Sequence, residues 1–370
     1  MNDTYARRRK RLLEKSNGVP FVVLDLDRIM PPDTDQIGLR YLSGYSGEGV
    51  LLIAEETTVL FTDSRYLEQA DREVPGLRRV HAENDYFDDI APVLRELGID
   101  TLSYSSWRTT DFVVRTLEAR TGVSMVAVQD PIGELRAVKD AAEVECISRA
   151  TEIAEEALGR LLPSIRVGMN EVEIADRLVD LMDELGSERA AFGPTVASGP
   201  NSALPHYRPA MSRRVLAAGD LLLFDFGAVV GGYASDVSRT FVLGSPTEQQ
   251  DAMYRLVNEA LEAGLALLRA GAKGCDVHGA ASSVIKASSF AEYMFLSPLG
   301  HGVGLQVHET PRMGARMENV LESGMVVTVE PGIYIPGVGG VRIEEMARIA
   351  DDGYELLSRS PRDQLQQLNV

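Results

Sequence analysis

Over roughly the first 130 residues the apolar positions recur with two different periods. Val50-Leu51-Leu52-Ile53 and Val59-Leu60-Phe61, separated by a polar turn at Glu55-Glu56, predict a β-hairpin. Tyr66 to Val74, Tyr86 to Leu97 and Phe112 to Ala119 carry helical periodicity, and Val123 to Val128 predicts a further strand. The basic run Arg7-Arg8-Arg9-Lys10-Arg11 continues into Leu12 and Leu13 at helical spacing, so it reads as the polar face of a first amphipathic helix. Together these elements predict a mixed α/β domain. The pattern breaks at Asp130-Pro131-Ile132-Gly133, which sets the domains at residues 1–130 and 131–370.

The second part repeats its own layout. Helical stretches over about 141–162 and 170–186 lead to an apolar hairpin at 220–243, and stretches over about 248–269 and 276–292 lead to another at 325–348. Corresponding elements lie roughly 105 positions apart, which predicts a duplicated α/β unit whose halves face each other across a pseudo-twofold axis. A site between the two sheets follows from that arrangement.

Each hairpin carries acids where a core is expected. Asp225 interrupts Leu221-Leu222-Leu223-Phe224-Asp225-Phe226, and Asp236 lies on the return strand. Centring the loop between Val230 and Gly231 sets Asp225 opposite Asp236. In the second hairpin a loop centred on Gly337 sets Glu330 opposite Glu344. Four carboxylates then point at one centre, where like charges would repel unless cations neutralise them. Arg342 shares strand parity with Glu344 and can hold one of the acids. Glycines at 300, 302 and 304 surround His301 and forbid a stable helix, so His301, His308 or both reach the carboxylates. His206 sits in a run of turn formers, whereas His81 and His278 lack such context and are taken as structural or exposed. Carboxylates with imidazole suit two divalent cations, with Mn²⁺ favoured and Co²⁺, Zn²⁺ or Fe²⁺ compatible.

Composition narrows the partners. Of 370 residues, 37 are Lys or Arg and 55 Asp or Glu, giving a net charge of −18. This excess disfavours nucleic acid and anionic membrane surfaces. No apolar run is long enough to span a bilayer. Cys146 and Cys275 are too few for a disulfide framework and read as reduced thiols in a cytoplasmic protein.

The run from Asp225 through Gly231-Gly232 to Asp236 and Arg239-Thr240, with Gly300-His301-Gly302, Val329-Glu330-Pro331-Gly332 and Arg342-Ile343-Glu344, resembles the pita-bread metallopeptidases. Arg40-Tyr41-Leu42-Ser43-Gly44-Tyr45 and Phe61-Thr62-Asp63-Ser64-Arg65-Tyr66 make the chain similar to the aminopeptidase P and prolidase branch. The resemblance implies an N-terminal creatinase/prolidase-like domain before a duplicated catalytic domain. It implies a dinuclear centre on Asp225, Asp236, His301, Glu330 and Glu344, and attack of an activated hydroxide on the carbonyl of an Xaa-Pro bond in dipeptides or short peptides. By the same likeness Glu330 shuttles a proton, His308 binds the developing oxyanion or the carbonyl, and His206 positions the residue after the scissile bond. Arg239, Glu309 and Arg342 support the site, Arg208 is a candidate partner for a dipeptide's carboxylate, and a homodimer is expected.

Two departures stand out: Ser297, where the family often has histidine, and Ser238, where threonine is usual. The turn-rich stretch Asp25 to Gln36 has no functional reading. Two other functions compete, a metal-free binding or scaffold protein on this fold and a creatinase-like hydrolase of a small non-peptide substrate. Retention of all five ligand positions speaks against both.

Overall fold

A computed structural model describes residues 2–26, 37–83, 85–295 and 298–369. Ser297 and residues 27–36 of the turn-rich stretch lie outside the described residues. The chain divides into two compact units, Met1–Arg136 and Ala137–Val370.

The first unit runs α1 (Asn2–Lys15), β1 (Phe21–Asp25), α2 (Ile37–Ser43), β2 (Gly49–Ile53), β3 (Thr58–Thr62), α3 (Leu67–Glu73), β4 (Arg78–His81), α4 (Tyr86–Glu96), β5 (Thr101–Ser105), α5 (Asp111–Thr121), β6 (Ser124–Val128) and α6 (Pro131–Ala137). Its six strands form one mixed sheet in the order β4-β3-β2-β1-β5-β6. The hairpin expected over 50–61 is the antiparallel pair β2/β3. The basic run does more than face water, because Arg8 and Arg9 donate to the carbonyls of Tyr41 and Leu42 at 3.1 and 2.8 Å and so hold α2 against α1.

In the second unit, α7 (Ala141–Leu161) and α8 (Glu171–Glu184) precede β7 (Thr195–Ser198), β8 (Leu221–Phe226), β9 (Val229–Val230), β10 (Tyr233–Ala234) and β11 (Val237–Leu243). Next come α9 (Glu248–Leu265), α10 (Gly274–Lys286), β12 (Gly300–Gly302), β13 (Glu309–Met313), β14 (Val326–Val329), β15 (Gly332–Ile335), β16 (Gly339–Arg342), β17 (Glu345–Ala350), β18 (Gly353–Leu356) and β19 (Gln366–Leu368). Capping boxes at Asp140/Glu143, Asn170/Glu173 and Thr247/Gln250 fix the starts of α7, α8 and α9, because each satisfies amide groups that the first turn leaves without partners.

The duplication is visible in the strand order. The first half pairs β11-β8-β7 and the second pairs β17-β14-β12, each antiparallel after two helices. Each half has its own apolar core, one built on Ile153, Leu178 and Phe224 and the other on Val257, Leu261 and Val327. Burying each such side chain contributes about 1.5–3 kcal/mol.

The first hairpin corrects the expected register. Asp225 pairs with Ser238, not with Asp236. Tyr233 pairs with Val230, which centres the turn on Gly231 and Gly232 with φ of 58° and 80°. Two left-handed residues make the turn whose twist matches the strands, and glycine adopts it without a Cβ penalty. Asp225 and Asp236 still share a face, as diagonal neighbours. The second hairpin keeps the expected register on both sides of its acids, with Val329 opposite Glu345 and Gly332 opposite Arg342.

Candidate metal centre

The acids occupy the places where ladders begin or break. Asp225 is on β8, Asp236 precedes β11, and Glu330 and Glu344 lie at the β14/β15 and β16/β17 junctions. The amide of Glu344 donates to the Ser238 carbonyl at 3.1 Å, and Thr240 Oγ1 donates to the Arg342 carbonyl at 2.9 Å, which joins the second hairpin to β11. Glycine lets β12 approach. A Cβ at Gly300 would fall on the Thr328 carbonyl, and one at Gly302 on that of Thr310.

His301 is buried with Nδ1 3.2 Å from the Gly302 carbonyl, so the tautomer protonated there turns the Nε2 lone pair to the acids. Nε2 lies 3.3 Å from Glu330 Oε1 and 3.6 Å from Asp236 Oδ2. Three overlapping groups have candidate ligand atoms within 4.8 Å of one another: Asp225/Asp236/Glu344, His301/Glu330/Glu344 and Asp236/His301/His308.

Among the described residues, the guanidinium of Arg342 stands against the four carboxylates. Arg342 is fully buried and donates to Asp225 Oδ2, to Ser238 Oγ at 2.8 Å, to Tyr334 OH at 2.9 Å and to the Pro205 carbonyl at 3.1 Å. Ser238 in turn donates to Glu344 Oε2 at 2.9 Å, so serine retains the hydroxyl that the site uses. Among the described residues Asp236 Oδ1 and Glu344 Oε1 have no hydrogen-bond partner. Burial first, then the neighbouring carboxylates, raise Asp236 and Glu344 well above the usual carboxylate range. Burial also raises Asp225, against the pull of Arg342. Buried, under-neutralised oxygens beside an imidazole fit divalent cations.

The remaining candidates divide. The His308 ring packs on His301 with centroids 4.3 Å apart, and the residue is exposed to solvent. Loss of hydration, then the neighbouring His301, lowers its pKa to about 4. His206 is exposed and meets Phe295 edge to face at 6.2 Å. Arg208 is exposed, and its guanidinium has no hydrogen bond or ion pair among the described residues. Glu309 belongs to none of the candidate ligand groups and pairs with Lys139 Nζ at 2.8 Å, both side chains almost fully buried. Arg239 also stays outside the cluster and donates to the Glu344 carbonyl at 2.5 Å and to Glu345 Oε1 at 2.9 Å. Lys139 and Tyr334 carried no local signal in the sequence, since their roles depend on contacts with distant segments.

The chain belongs to the metallopeptidase family M24, whose model matches residues 145–351, and residues 34–138 match the creatinase/prolidase N-terminal domain. It is 36% identical over 336 residues to the Xaa-Pro dipeptidase of Pyrococcus furiosus, covering 89% of this chain and 93% of that one. The structure of an X-Pro aminopeptidase from Thermotoga maritima superposes with a TM-score of 0.89 at 33% identity, over 98% of this chain and 100% of that one. An Xaa-Pro dipeptidase from Bacillus anthracis gives 0.90 at 32% identity, over 98% and 100%.

Proposed function

We infer that this protein hydrolyses the Xaa-Pro peptide bond in a metal-dependent reaction. The observation that carries the inference is the buried and half-buried cluster of four carboxylates and His301, with two carboxylate oxygens unpartnered among the described residues. Asp225, Asp236, His301, Glu330 and Glu344 would hold two divalent cations, and the oxygen-rich donor set favours Mn²⁺. Cations held there supply Lewis acidity, which acidifies water and polarises a carbonyl.

The chain's own groups do the rest. Glu330 takes the proton of the attacking water and delivers it to the prolyl nitrogen as the C–N bond breaks. His308 donates to the oxygen on which charge develops. His206 orients the residue after the scissile bond, and Arg342 fixes Asp225 while neutralising part of the cluster. Arg239 and Glu309 act from behind, through the Glu344 carbonyl and through Lys139. Proline is selected because its amide has no N–H and its φ is locked, which a dedicated pocket can recognise. The finer reading is a cytoplasmic homodimer with Cys146 and Cys275 reduced, acting on dipeptides with a marginal preference over longer peptides.

A panel of Xaa-Pro dipeptides, Xaa-Pro-Yaa tripeptides and Xaa-Ala peptides, assayed with added Mn²⁺, tests this. Hydrolysis of the Xaa-Pro members is expected, and cleavage of Xaa-Ala peptides alone would overturn the assignment. If Arg208 pairs with the substrate carboxylate, Arg208→Ala raises KM for dipeptides more than for tripeptides; equal effects remove that role.

A further inference from the structure

His206 makes no hydrogen bond of its own among the described residues, so the position of its ring depends on the loop that carries it. That loop, between β7 and β8, is anchored on a carboxylate that sequence reasoning passed over. Glu171, in the first turn of α8, is fully buried. Its Oε1 accepts from the Ser198 amide at 2.6 Å, from Ser198 Oγ at 2.7 Å and from Asn201 Nδ2 at 3.1 Å. Its Oε2 accepts from Asn201 Nδ2 at 3.0 Å and from Tyr207 OH at 2.5 Å. Every one of these donors lies within residues 198–207, and Tyr207 is the residue next to His206.

The other side of His206 is tied as well. The Pro205 carbonyl accepts from Arg342 Nη1, and the Tyr207 carbonyl accepts from Thr195 Oγ1 at 2.9 Å. The backbone is therefore pinned immediately before and after the histidine. On the Tyr207 side the buried anchor is a carboxylate satisfied by neutral donors, the arrangement in which an acceptor-only group is hardest to replace.

We propose that Glu171 is a positioning residue for the reaction: it sets the placement of His206 through Ser198, Asn201 and Tyr207. This rests on His206 contacting substrate, as argued above. Glu171→Gln keeps the shape but turns one acceptor oxygen into an amino group that faces the Asn201 Nδ2 or Ser198 amide donor, so the hydrogen bonds that hold the loop must rearrange. A displacement of about 1 Å can cost on the order of a hundredfold in rate.

The test is a double-mutant cycle read as kcat/KM on an Xaa-Pro dipeptide, with metal content and thermal unfolding measured in parallel. Glu171→Gln should lower kcat/KM by roughly ten- to a hundredfold in the wild-type background. In a His206→Ala background it should lower it by less than about threefold, since removing the ring removes what Glu171 positions. Bound metal per chain should not change. If the two effects multiply, or if metal is lost in proportion to activity, Glu171 acts on folding or on the centre and the proposal is overturned. If His206→Ala alone leaves kcat/KM intact, the substrate role of His206 fails and the proposal falls with it, an outcome distinct from multiplying effects. Should Glu171→Gln fail to fold, Tyr207→Phe, which drops only the hydroxyl donor, carries the same cycle with the same criteria.

Discussion

Asp236 Oδ1 and Glu344 Oε1 are buried acceptors without hydrogen-bond partners among the described residues, a state that costs free energy until something positive arrives. Asp236→Asn and Glu344→Gln preserve shape and remove the charge a cation needs. Each should cut metal occupancy and turnover by more than about 100-fold while circular dichroism stays native, because the replacement keeps the volume of the side chain it removes. Near wild-type turnover at saturating metal would remove that ligand from the set. His308 separates two roles, since it packs on His301 and shares a candidate ligand group with Asp236. His308→Ala should lower turnover by about 100-fold with metal content unchanged. A matching loss of metal, read by elemental analysis, would make it a ligand instead. The four candidate acids were legible at this scale because acids in matched apolar hairpins are anomalous, whereas the glycines around His301 singled it out only together with His308, and the resemblance chose between them. Glu171 and Lys139 were not legible, since an acid at a helix start and a lysine before one are ordinary until distant segments fold over them.

At the scale of elements, the longer helices and the hairpins followed from periodicity, and the second hairpin's register followed from the position of its loop, whereas the short α2 and α6 and the order of strands in each sheet gave no such signal. The first hairpin's register did not follow. Aligning the two acids placed its turn one residue early, whereas Gly231-Gly232 is itself the turn signal, two residues able to take positive φ side by side. The turn over residues 303–309, which carries His308 next to β13, rests on the Lys139–Glu309 pair. Lys139→Met removes the buried ammonium that Glu309 pairs with, which should destabilise the folded chain by on the order of 1 kcal/mol or more and lower turnover more than metal content. Denaturant unfolding and elemental analysis read the two effects, and an unchanged midpoint would show that the pair does not hold the turn.

Across the whole molecule the net charge of −18 is spread over the chain, but its consequence for chemistry is concentrated where two duplicated halves bring their hairpin acids together. Each half alone supplies two acids, and neither supplies a complete ligand set. The duplication could be read from element order, and the convergence of the acids from their matched places in the two hairpins. Among the described residues no helix is long and apolar enough to cross a membrane. The central claim is that hydrolysis depends on divalent cations held by this cluster, and the most direct measurement follows metal content and Xaa-Pro dipeptide hydrolysis together. The purified protein is stripped with chelator and then titrated with Mn²⁺. The account predicts no hydrolysis in the stripped protein and recovery that tracks bound metal up to two ions per chain. Full activity in protein shown by elemental analysis to be metal-free would contradict it.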